Sequence, residues 1–105
     1  IIAPGPEEIK EALNINAECI LDNEKSLNIS QLASLIQYST FVIANDTGPA
    51  HITAHLGIKG LALFGPHKPA KLVSIEREKF KAIQVEDLKK LSADRVFERM
   101  LELLF

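Results

Sequence analysis

Asp46, Thr47, Gly48 and His51 fall in one short run, "FVIANDTGPAH", where an apolar stretch gives way to an acid, a hydroxyl, a glycine, a proline and an imidazole. This set suits the binding of an anion better than covalent chemistry. Glycine permits close backbone approach or a positive φ, proline presets the first turn of a helix, and the free N–H groups of a helix start can meet a phosphate. An imidazole in that first turn can donate to a phosphate oxygen. The same residue types also make an ordinary strand-to-helix turn in which the acid is only an N-cap. On residue chemistry alone both readings stand.

Other groups are weaker candidates. His51 and His55 are four apart on one helix face and, with Asp46, could be drawn as a zinc site, but no HExxH pattern is present and the inner position more often packs. No metal or cofactor is expected. Glu7 and Glu8 follow Pro6 and suit the first turn of a helix as favourable charges; Lys68 and Lys71 could reach a phosphate across a cleft but read more simply as a solvated loop. No Ser/His/Asp or Cys/His arrangement supplies a nucleophile. Neither a G-x-G-x-x-G fingerprint nor a P-loop is present, which argues against a dinucleotide or NTPase site.

The elements that must position these residues are legible as alternating runs. Ile1 to Pro4, Glu18 to Leu21, Phe41 to Ala44, Leu61 to Phe64 and Ala82 to Val85 are short and mostly apolar on both faces, as in strands of a covered parallel sheet. Ile43 is therefore expected in a central strand. Between the runs, Pro6 opens a helix whose inward stripe is Ile9, Ala12 and Leu13, and Asn28 with Gln31 forms a capping box before "LASLI". Pro49 and Gly57 bracket "AHITAHL", and Val96, Phe97, Met100, Leu101 and Leu104 mark an amphipathic helix from Ser92 to Phe105. The β–α alternation predicts an α/β fold: a Rossmann-like open parallel sheet with helices on both faces. In such sheets ligands gather outside the carboxyl ends of the strands, which is where Asn45 to Pro49 lies.

The chain has 105 residues, 47% hydrophobic and 25% charged, with a formal net charge of −2, enough for one domain with one core. So small a charge, with no run of like charges, disfavours nucleic acid and anionic membranes as partners. The lone Cys19 reads as a buried thiol in a reducing compartment. No apolar run approaches the roughly 20 residues of a membrane span, so a cytoplasmic location is expected. The opening "IIAPG" reads as a cut inside a sheet, so a domain truncated at its N-terminus is expected, with an exposed sheet edge through which copies could pair.

"IANDTGPAHITAHLGIKGLALFGPHKPAK" resembles the C-terminal domain of the ADP-heptose:lipopolysaccharide heptosyltransferases, glycosyltransferase family nine, where a D-[ST]-G-x-x-H turn precedes a strand ending in [FY]-G-P. "IIAPGPEE" and "KSLNISQLASLIQYSTFVIAN" are similar to the family's upstream segments, and the match runs from about Ile1 to Ala70. The resemblance implies the C-terminal half of an inverting GT-B glycosyltransferase of lipopolysaccharide core synthesis, the half that holds the sugar nucleotide. By similarity, Asp46 bonds sugar hydroxyls, while Thr47, Gly48 and His51 face the diphosphate of an ADP-sugar donor. Glu7 is similar to the acid that takes the ribose hydroxyls, and Leu27 to the apolar wall beside the adenine. No catalytic residue is assigned: the resemblance puts the general base and the lipopolysaccharide acceptor surface on a separate N-terminal domain, and the parent protein peripheral to the inner membrane. The family often continues F-G-P-T-D-P where this sequence has "FGPHKP", so nothing is carried over to His67 and Lys68. Two other readings of the same fold are a binding module without catalysis and a piece of a GT-B sugar-nucleotide epimerase.

Overall fold

A computed structural model describes residues 1–45, 47–66 and 76–105, so the expectations for Asp46, His67, Lys68 and Lys71 lie outside the described residues. Three strands, β1 (Val42–Asn45), β2 (Gly60–Phe64) and β3 (Phe80–Gln84), pair in parallel in the order β1-β2-β3. Side chains alternate along each strand, so the register stacks them in rows across the sheet. Val42, Gly60 and Phe80 form one row, and Ala44, Ala62 and Ala82 form the next on the same face. Helix α3 (Gly48–Leu56) packs against β1 and β2. Its Ala50 and Ala54 share one buried cluster with Ala62, Phe64 and Phe80, flanked by Ala44 and Ala82. Leu61, which alternation sends to the opposite face, is also fully buried, so both faces of β2 are covered. The architecture is an α/β, Rossmann-like open parallel sheet with helices.

Local signals explain the helices of this sheet. Pro49 occupies the first turn of α3 and Gly57 ends it at φ 71°, with the Gly57 N–H donating to the Ala54 carbonyl and the Ile58 N–H to that of Thr53. Thr53, fully buried, returns its hydroxyl proton to the Pro49 carbonyl at 2.7 Å, so no buried polar atom is stranded there. Helix α4 (Ala93–Leu104) starts at Ser92, whose Oγ accepts from the Arg95 N–H at 3.1 Å. It packs against β2, and Lys59 Nζ donates to the carbonyl of Leu104 at 3.2 Å. Its apolar stripe is only partly covered, with Phe97 55% exposed.

The chain divides into two compact units, Ile1–Leu35 and Ile36–Phe105; the sheet belongs to the second. In the first, the runs expected as strands meet in a single parallel bridge, Ile2 to Cys19. The Ile2 N–H donates to the Glu18 carbonyl at 2.8 Å and Ile20 N–H to that of Ile2 at 2.9 Å. The next donor in that register is Pro4, which has no N–H, and the ladder stops. Helix α1 is short (Ile9–Ala12), and Pro6 to Glu8 form a turn ahead of it. Leu13, expected inward, is 62% exposed, and Cys19, expected buried, is half-buried. A tight turn follows at Asp22–Lys25, with Asn23 (φ 49°) and Glu24 (φ 68°) both left-handed, the geometry of a type I′ turn. At the start of α2 (Ile29–Gln37) the capping box is formed as expected: Gln31 N–H to Asn28 Oδ1 at 2.8 Å and Asn28 N–H to Gln31 Oε1 at 2.9 Å.

One expectation about the sheet is corrected. Among the described residues β1 is an edge strand rather than a central one, and Ile43 is 45% exposed, so truncating it opens no sealed cavity. The tight spot is Gly60. A β-carbon there would lie 2.6 Å from the Val42 carbonyl oxygen and 2.7 Å from two atoms of the Phe80 ring. Gly60→Ala is predicted to destabilise the fold by about 1–3 kcal/mol through this overpacking. Thermal melts should show a larger drop for Gly60→Ala than for Ile43→Ala; the reverse order would contradict the packing described.

Candidate functional site

The site is built at the carboxyl edge of the sheet, where β1 ends at Asn45 and α3 begins at Gly48. Thr47 is extended (φ −144°, ψ 179°), and its carbonyl accepts the Ala50 N–H at 3.1 Å and the His51 N–H at 3.4 Å. Its hydroxyl does not cap the helix; Oγ1 donates backward to the Asn45 carbonyl at 3.3 Å. The Thr47 N–H is taken by the same carbonyl at 2.8 Å. Pro49 has no N–H to offer, and the Gly48 N–H has no acceptor among the described residues. A β-carbon added to Gly48 would meet nothing within 4 Å. Among the described residues, the start of α3 thus presents a donor that Thr47 does not cap and that no neighbour covers, at the positive end of the helix dipole. That combination favours an anion.

The structure brings Thr47, Gly48 and His51 together at this helix start. Thr47 and Gly48 are exposed, and His51 is half-buried beside the fully buried Ala50. Glu7 and Leu27 belong to the Ile1–Leu35 unit. Glu7 is exposed in the turn closed by the Glu8 N–H to the Gly5 carbonyl at 3.0 Å, ahead of α1 and not inside its first turn; Leu27 is half-buried just before the capping box. His55 is exposed, and no group of metal-ligating side chains exists among the described residues. Among those residues, no helix is long and apolar enough to cross a membrane.

Beside this helix start, β2 leaves the sheet through Gly65 and Pro66. Two residues that sequence reasoning missed hold that exit: Gln84, whose Nε2 donates to the Gly65 carbonyl at 2.5 Å, and Leu88, whose Cδ1 would lie 3.4 Å from a β-carbon on Gly65. The available signal was a polar residue inside the apolar run "KAIQV", at the end where a parallel sheet binds ligands.

The geometry at Gly48 yields a test that needs no ligand. Its φ is not positive and nothing crowds it, so Gly48→Ala should leave the melting temperature unchanged or raise it, by up to about 1 kcal/mol of stability from the lost chain entropy of glycine. A marked destabilisation would show that Gly48 serves the fold and not an approaching ligand.

The family model described as glycosyltransferase family 9 (heptosyltransferase) matches residues 7–100. No curated protein and no solved structure matches the chain. The matched span takes in the sheet, the uncapped start of α3 and most of α4, and by it the chain belongs to glycosyltransferase family 9, the heptosyltransferase family.

Proposed function

We propose that this chain holds the ADP-sugar donor, an ADP-heptose, of an inverting glycosyltransferase of lipopolysaccharide core synthesis. The observation that carries the reading is the Gly48 N–H at the start of α3, uncapped by Thr47 and open to an approaching group. A helix start with a glycine at close approach suits a diphosphate, and the positive helix end stabilises the charge that grows on ADP as it leaves. Thr47 and His51 flank the diphosphate, and Asp46 takes sugar hydroxyls. Glu7 takes the ribose hydroxyls and Leu27 lies beside the adenine. Membership of a glycosyltransferase family favours transfer over epimerisation or binding alone.

The general base that deprotonates the acceptor hydroxyl and the surface that binds the lipopolysaccharide core belong, on this reading, outside these 105 residues. The parent enzyme works in the cytoplasm against the inner membrane. The chain by itself binds donor and transfers nothing. Pairing between copies along the open edge of β1, where Ile43 is exposed, is a further proposal of this reading, and sedimentation would show it as a dimer.

Calorimetric titration with ADP, UDP and GDP tests the donor reading. ADP should bind best, with a Kd on the order of a millimolar for a site lacking its other walls. Equal binding of all three, or none at millimolar concentration, would contradict it. His51→Ala should weaken ADP about tenfold and leave adenosine unaffected, as expected for a charge-assisted bond to phosphate.

A further inference from the structure

Gln84 closes β3 at the carboxyl edge, and its side chain reaches across to the neighbouring strand to hold the Gly65 carbonyl at 2.5 Å. The next residue acts in the same direction: the Val85 N–H donates to the Phe64 carbonyl at 3.0 Å. The last residue of β3 and the one after it therefore fix consecutive carbonyls at the exit of β2. Leu88 packs over Gly65, and it leads a short 3₁₀ turn, Leu88–Lys90, set by the Lys89 N–H donating to Asp87 Oδ1 at 3.0 Å. The exit turn is thus held by a side-chain bond, with the Leu88 side chain placed beside Gly65.

The register gives this clamp a functional address. Asn45 of β1 is paired with Leu63 of β2, so the chain leaving β1 through Thr47 and Gly48 and the chain leaving β2 through Gly65 and Pro66 start side by side on one edge. An exposed amide bond of this kind adds little to global stability. Its effect is directional, since it fixes one backbone segment next to the uncapped donor of α3.

We infer that Gln84, supported by Leu88, is a positioning residue for diphosphate binding: it sets the Gly65–Pro66 turn as the wall facing the Gly48 N–H. The inference rests on the donor-binding reading above. Gln84 touches no ligand itself; it acts through Gly65.

The test is NMR titration of the 105-residue chain with ADP and, separately, with adenosine, comparing the native chain with Gln84→Met and Leu88→Ala. Methionine keeps the length of glutamine and removes the donor. ADP affinity should fall roughly fivefold in Gln84→Met and by a smaller factor in Leu88→Ala, with adenosine affinity and melting temperature unchanged in Gln84→Met. A merely structural residue would lower both ligands together. Equal losses for ADP and adenosine in both variants, or no loss in either, would overturn the inference while ADP binding by the native chain leaves the donor reading intact. Absence of ADP binding by the native chain would sink both.

Discussion

The site depends on how closely α3 can approach the sheet. Ala50 and Ala54 of the helix meet a face on which Ala44, Ala62 and Ala82 lie in one row across all three strands. With side chains ending at Cβ on both sides, little separates the helix from the strands, and β1, ending at Asn45, is followed closely by α3, beginning at Gly48. The neighbouring row repeats the device. Gly60 leaves room for the Phe80 ring to lie over it, and Phe80 and Phe64 then close the cluster on either side of the alanines. Larger residues in the alanine row would lift α3 and move its first turn away from the carboxyl edge.

From that placement the chemistry of the turn follows. Helix starts leave N–H groups without partners, and a threonine at this position usually caps one of them. Here the Thr47 hydroxyl and N–H are both turned back to Asn45, Pro49 carries no N–H proton, and among the described residues nothing accepts from the Gly48 N–H or lies over it. What the described residues offer at this point is a backbone N–H at the positive end of a helix. Such a donor needs no side-chain ordering on binding. On the adjacent strand the Gly65 carbonyl is held from outside by Gln84, so both exits at this edge are defined by bonds the fold already makes.

What could be read from the sequence was mostly local. Pro49 and Gly57 bound α3, Ser92 opened α4 and Asn28 with Gln31 closed a capping box, because each signal acts within a few residues of itself. The turn at Thr47 to His51 was legible for the same reason, and the family pattern it carries agrees with the family match. Features that depend on strand order were not. Ile43 has the composition of a central strand, yet β1 lies at an edge, and no local pattern distinguishes the two. The opening run looked like a strand because its apolar residues outweighed Pro4, whose missing N–H ends the ladder after one bridge. Gln84 escaped because its partner lies far along the chain, in the exit of another strand.

If this chain holds the donor, the Gly48 N–H receives one of its phosphates. A crystal structure of this chain with ADP bound would test it most directly. A phosphate oxygen is expected within about 3.2 Å of the Gly48 nitrogen, with the His51 ring on the same phosphate group. ADP bound with its phosphates in solvent, or lodged away from the start of α3, would contradict it.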